Sequence, residues 1–223
     1  MNGSAQDASE RSIRVIFEHA RLVVVEKPAG LLSVPGRGDG KQECACAQVA
    51  RLYSQSRGPW VCHRLDQATS GLIVFALDPE AQRHLSMQFQ RGRVDKRYIA
   101  LLRGRPDREQ GRVELPLRAD WPNRPKQMVD PEHGKRAVTL WRVVGEAGEH
   151  TRVEFRPITG KTHQLRVHAA APAEMGGIGC PIVGDELYDP AHPGARLMLH
   201  ASMLTLTDPD TLRRVTVRSE APF

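Results

Sequence analysis

Three residues stand where a sequence of this kind could do chemistry: Asp66 in CHRLDQATSGLIVFA, Tyr98 in DKRYIALL and Arg166 in GKTHQLRVH. Asp66 is a lone carboxylate, two residues after Arg64 and just ahead of Thr69-Ser70-Gly71. Taken singly, such an aspartate most often forms a turn or a surface ion pair. Tyr98 alone reads as a half-buried strand tyrosine, and Arg166 as a cation on a helix surface. A carboxylate-dependent hydrolase would want a second acid or a metal, and neither is visible. His163 and His168 are five residues apart with no glutamate between them, which is not the pairing of a helical zinc site. Cys44, Cys46, Cys62 and Cys180 form no CxxC pair and read as reduced, buried thiols. No glycine-rich signature for a dinucleotide or triphosphate occurs, so ATP and NAD are poor candidates and no cofactor is expected.

The elements that must position these residues follow from the apolar pattern. Val15-Ile16-Phe17 and Leu22–Val25 are short strand-type runs, broken by Lys27-Pro28-Ala29-Gly30 and then by a mobile loop, VPGRGDGK. Residues 42–55 can form a helix. Gly71–Leu77 predicts a buried strand carrying the Asp66 loop at its start, followed by a helix opening at Pro79 with Ala81, Leu85 and Phe89 on one stripe. Tyr98–Leu102 is strand-like, and residues 118–137, rich in Arg, Lys and Pro, predict an exposed loop. Residues 137–144 and Thr151–Phe155 predict a hairpin turning at Gly145–Gly148, HQLRVHAAA a short helix, and Leu197–Thr207 with Leu212–Val217 closing strands. Strands outnumber helices without a βαβ rhythm, so the expected fold is α+β: one domain, residues 13–223, on a mixed, largely antiparallel sheet with flanking helices and loops.

Composition sets the outer limits. The 223 residues, 40% hydrophobic and 26% charged, suit a soluble globular chain. Residues 1–12 read as a disordered leader with neither the basic front nor the apolar middle of a signal peptide, and no run is long enough to span a bilayer. A cytoplasmic monomer is expected. The net charge of +6 favours an anionic partner such as nucleic acid without specifying one.

Taken in order, the motifs do more than they do singly. HRLDQATSGLIVFA, DKRYIALLRG and GKTHQLRVHAA resemble the catalytic, tyrosine and basic motifs of the RluA-type RNA pseudouridine synthases. EKPAGLLSVPG, PIVGDELYDP and RLMLHASMLTLTDP add further similarity, which runs from about Ile13 to the end of the chain. DWPNRPKQ, 120–127, is most similar to the RluA branch, whose members modify both large-subunit (23S) ribosomal RNA and the tRNA anticodon stem-loop. The resemblance implies the pseudouridine synthase fold and an isomerase that needs no cofactor and no metal. It implies Asp66 as the nucleophile, paired with Arg166. Tyr98 would stack on the flipped uracil, Leu165 would line the same pocket, and Arg64 would contact RNA where the base has left the stack. Arg118, Arg124, Lys126, Lys135 and the pair Lys96-Arg97 are candidates for phosphate contacts. His63 and Ser70 read as scaffold.

The sequence also departs from the family. Glu26 stands where asparagine is common, Lys161 where arginine is common, and the segment 169–185 is longer than its counterpart. The amino-terminal S4-type module of many relatives is not expected. The competing reading is a non-catalytic RNA-binding protein, which would explain the charge but not the joint presence of Asp66, Tyr98 and Arg166.

Overall fold

The structure, a computed structural model, describes residues 12–36, 38, 41–56, 58, 60–194 and 196–223. Except for Ser12, the expected leader lies outside the described residues, as does part of the VPGRGDGK loop. The chain divides into two compact units, one running to Lys96 and resuming at His200–Pro222, the other spanning Arg97–Leu199 with Phe223. The class is α+β on mixed, largely antiparallel sheet, as the sequence predicts.

In the first unit, β1 (Arg14–His19) and β2 (Leu22–Lys27) form a hairpin, and β2 pairs antiparallel with β4 (Ser70–Ala76). The short β3 (Trp60–Val61) pairs with the far end of β4. At its near end β4 runs parallel to β11 (Leu199–Thr207), with His200 opposite Ser70 and Ala201 opposite Gly71. Strand β12 (Arg214–Arg218) closes on β11. Every residue of β4 is buried, which is why its sequence SGLIVFA shows no polar alternation. Burying Leu72, Ile73, Val74 and Phe75 is worth about 2 kcal/mol each, before chain entropy is set against it.

Helix α1 (Ala45–Leu52) opens on Cys44, whose sulfur accepts the amide of Ala47 at 3.3 Å. Helix α2 (Pro79–Gln90) opens on Asp78, which accepts the amides of Glu80 and Ala81 while gripped by the Arg21 guanidinium at 2.7 and 2.8 Å. The Arg21 bond holds the Asp78 carboxyl down at about 2. The expected stripe is present: Ala81 and Leu85 are buried in a cluster with Leu22, Val24, Leu72 and Leu204, and Phe89 packs against it.

The second unit is an antiparallel sheet in the order β5-β10-β9-β6, formed by β5 (Asp95–Arg103, its first two residues in the first unit), β6 (Gln110–Glu114), β9 (Val138–Ala147) and β10 (His150–Pro157). The β9–β10 turn lies at 147–150, where Gly148 takes φ +62°, and Gly145 belongs to the strand. One expectation is corrected. Residues 118–137 are not wholly irregular, because β7 (Leu117–Ala119) and β8 (Gln127–Val129) form a small ladder. Three pairs are too few to show strand periodicity. Pairing there is fixed instead by a turn in which the Asp120 amide donates to the Lys126 carbonyl at 3.0 Å, and by Leu117 and Lys135, which exchange backbone bonds at 2.8 and 2.9 Å. Helix α3 (Gln164–Ala170) packs Val167 on Leu117 and Ala137, with Tyr188 and Val129 beside them.

Candidate active site

Asp66 sits half-buried on the loop that feeds β4, between buried Leu65 and exposed Gln67, with Arg64 exposed. The loop is fixed through its backbone. Ser33 holds Leu65 twice, its hydroxyl donating to the Leu65 carbonyl at 2.7 Å and accepting the Leu65 amide at 3.1 Å. The amide of Thr69 donates to the Asp66 carbonyl at 3.1 Å and closes the turn. Lys27 is fully buried, and its ammonium donates to the carbonyls of Pro28, Leu31 and Gln67 at 2.9, 2.8 and 3.0 Å. A buried lysine is costly unless its donors are used. Here they are used to set a positive charge on the residue that follows Asp66. Gly30, at φ +86°, adds its amide to the same Gln67 carbonyl at 2.9 Å.

Where the loop enters β4, Ser70 Oγ bonds His200 Nδ1 at 2.9 Å, and His200 Nε2 bonds Ser219 Oγ at 3.0 Å. Ser219 in turn donates to Glu26, which also takes Arg14 at 3.0 Å. The unusual Glu26 is therefore the charged end of a relay that fixes the base of the loop. Gly71 has φ +110°, and a Cβ there would lie 2.4 Å from the Ala201 carbonyl oxygen, so only glycine fits. His63 stacks on Phe89 with centroids 4.3 Å apart and accepts the Val74 amide at 3.1 Å. Burial, with some help from Lys96, pushes its pKa down to about 3, so the ring is a neutral acceptor.

In the second unit Tyr98 lies on β5, half-buried and opposite Phe155. Leu165 and Arg166, both buried, lie in the first turn of α3. Arg166 makes a bidentate ion pair with Asp185, Nε to Oδ2 at 2.8 Å and NH2 to Oδ1 at 2.6 Å, with the guanidinium carbon 5.2 Å from the Tyr188 ring centre. Asp185 Oδ1 also accepts the amides of Leu187 and Tyr188 at 3.1 and 3.2 Å. The Tyr188 hydroxyl bonds His163 Nδ1 at 2.8 Å and accepts the Gln127 amide at 2.7 Å, tying the β7–β8 hairpin to the helix that carries Arg166. His163, at φ 53°, starts that helix in a left-handed conformation.

Of the candidate phosphate contacts, Arg124 lies over the exposed Trp121 ring at 3.3 Å, Arg118 pairs with Asp130, and Arg97 bonds Glu154 at 2.8 Å. Lys96 is half-buried, and desolvation lowers its pKa. Among the described residues no group of His, Cys, Asp and Glu is arranged to hold a metal ion. The residues that sequence reasoning passed over are Lys27, Ser33, His200, Asp185 and Tyr188. All but Ser33 and His200 lie in EKPAG and GDELYDP, and those two in LLSVPG and RLMLHA, so the signal was similarity without an evident role.

The half-buried Asp66 on a loop ahead of a buried strand, the strand tyrosine Tyr98 and the buried helix arginine Arg166 are the residues of the three sequence motifs. The RNA pseudouridylate synthase family model matches residues 21–171. The dual-specificity RNA pseudouridine synthase RluA of Escherichia coli K12 is 44% identical over 215 residues, covering 94% of this chain and 93% of the relative. The Haemophilus influenzae protein of the same name is 40% identical, covering 96% and 95%. Among solved structures, human RNA pseudouridylate synthase domain containing 1 superposes with a TM-score of 0.75 at 28% identity, covering 96% of this chain and 85% of that one. Human RNA pseudouridylate synthase domain containing 4 gives 0.72 at 25%, covering 94% and 88%. The chain belongs to the RNA pseudouridylate synthase family. It is an isomerase acting on uridine in RNA.

Proposed function

We propose that this enzyme isomerises uridines in stem-loops of large-subunit ribosomal RNA and of the tRNA anticodon arm, with Asp66 as nucleophile. The reaction breaks the N1–C1′ bond, turns the uracil and joins C5 to C1′, with one proton lost from C5 and one gained at N1, so atoms balance without redox or an energy source. An ionised carboxylate suffices, attacking C1′, attacking C6 of the ring, or taking a proton to give a glycal. The observation that carries the reading is the immobilised Asp66 backbone: Ser33, Lys27 and Thr69 hold both neighbours of the aspartate and its own carbonyl. Preorganisation of this kind places a reacting group without paying for its ordering during the reaction.

Tyr98 stacks on the extruded uracil and Leu165 packs beside it, with Arg166, held by Asp185, as a further substrate-binding residue. Arg64 contacts RNA. The dual substrate range is that of the RluA relatives, and stem-loops suit it because their bases are already partly unstacked. The enzyme works in the cytoplasm as a monomer, with residues 13–223 as its catalytic domain. Asp66→Asn is the test: pseudouridine formation on an anticodon stem-loop is abolished while thermal unfolding is unchanged. Persistent product would sink the nucleophile assignment. Because the reaction uses no metal, wild-type activity is expected to survive excess chelator without release of free uracil.

A further inference from the structure

We propose that the outer face of the second unit's sheet is a second RNA site, which grips the phosphate backbone of a helical stem beyond the target loop. The inference rests on the enzyme's acting on RNA. Arg156 pairs with Leu140 and Glu154 with Arg142 across β10 and β9, while Leu140 and Arg142 face Arg112 and Gln110 on β6. Glu154 also faces Ile99 on β5, and Arg97 stands two residues before Ile99. Side chains two apart share a face, so Arg97, Arg156, Arg142 and Arg112 project from one side. Tyr98, Phe155 and Trp141 occupy the alternate register positions. The cationic side is thus the one away from the proposed uracil-stacking residue.

These arginines line a shallow cavity of about 530 Å³, with Leu140 as the apolar side chain on the same face. Glu154 Oε1 takes Arg97 at 2.8 Å and Arg142 at 2.9 Å, which orients both guanidiniums side by side. Glu114 likewise takes Arg112 at 2.6 Å and Arg136 at 2.8 Å. Five guanidiniums against two carboxylates leave a positive surplus on one face. Arg112, Arg142 and Arg156 are exposed. Forked guanidiniums match phosphate oxygens bidentately, and helical RNA is read by shape and backbone rather than sequence. A flat ladder spread over four strands suits such a stem better than it suits one flipped base.

The experiment compares wild type with Arg142→Glu/Arg156→Glu on a minimal anticodon stem-loop and on intact tRNA. On intact tRNA, KM is expected to rise at least tenfold with kcat within twofold. The log–log salt dependence of binding is expected to flatten by about 1.8, for two lost phosphate contacts. The minimal stem-loop should be turned over as by wild type. Arg213→Glu/Arg218→Glu, an equal charge change in the first unit, should leave both substrates nearly unaffected. Should the double glutamate variant fail to fold, Arg142→Gln/Arg156→Gln serves, since it removes the same two contacts and should flatten the slope by about as much. Unchanged binding of intact tRNA overturns the proposal, as do equal losses on both RNAs or an equal loss in the control variant. Absence of pseudouridine with wild-type protein would strike at the proposed reaction instead, and the binding measurements would still decide on the ladder.

Discussion

Asp185→Asn isolates what it costs to keep Arg166 buried. The two side chains are 0% and 6% exposed and share two charge-assisted bonds of 2.8 and 2.6 Å, so water cannot replace a lost partner. Asparagine preserves the shape but presents one amide NH2 to a group that can only donate. Removing one partner of a buried ion pair typically costs about 3–5 kcal/mol, much of it the penalty of the stranded charge. For a chain of this size each kcal/mol lowers the midpoint by about 2–4 °C, which puts the drop at roughly 6–20 °C. The assay is thermal and urea unfolding by circular dichroism and tryptophan fluorescence, with the loss falling on the transition of the second unit if the two units melt apart. The double change Arg166→Met/Asp185→Leu, which removes both charges, should melt close to wild type yet make no pseudouridine. A midpoint for Asp185→Asn within 2 °C of wild type would refute the reasoning, since the pair would then be neither desolvated nor needed.

Lys27→Met removes the ammonium from the carbonyls of Pro28, Leu31 and Gln67, of which Gln67 keeps the Gly30 amide; a loss of about 3 kcal/mol is expected, with kcat falling more than KM rises, and a wild-type kcat would show that the ammonium does not hold the loop. Gly71→Ala forces a Cβ against the Ala201 backbone and should cost about 3 kcal/mol, read from the urea midpoint; a neutral result would mean that β4 and β11 can move apart. His63 and His168 are held neutral by burial, with pKa values pushed down to about 3 and about 4. The unfolded chain, titrating near 6.5, binds protons that the native state refuses. Their contribution is therefore intact above pH 6.5 and is lost as pH falls toward 4, by up to about 1.4 kcal/mol per pH unit for each ring. His168→Gln should flatten that slope in urea titrations between pH 6.5 and 4, and an unchanged slope would place the acid sensitivity elsewhere.

Much of this was legible because it is local. The apolar run Gly71–Ala76 of β4, the Asp78-Pro79 opening of α2 and the Ala81-Leu85-Phe89 stripe are each written within one helix or strand. What stayed illegible is held by residues far apart in the chain. Asp185 lies 19 residues from Arg166, Lys27 lies 40 from Gln67, and Ser70 lies 130 from His200. No period or cap announces such partners. The β7–β8 ladder escaped for a different reason: proline and charge dominate its sequence, and its order comes from turn bonds and from the Tyr188 hydroxyl. Similarity marked the segments that matter, while only geometry gave Glu26, His200 and Lys27 their work.

The relay from Glu26 through Ser219 and His200 to Ser70 has a consequence for biosynthesis. Two of its members come from the last two dozen residues of the chain, yet they anchor a loop made in the first third. A growing chain holds the Asp66 loop long before it holds β11 and β12. Closing contacts of such separation are slow to form. The base of the Asp66 loop is therefore fixed only once the two closing strands of the first unit have formed.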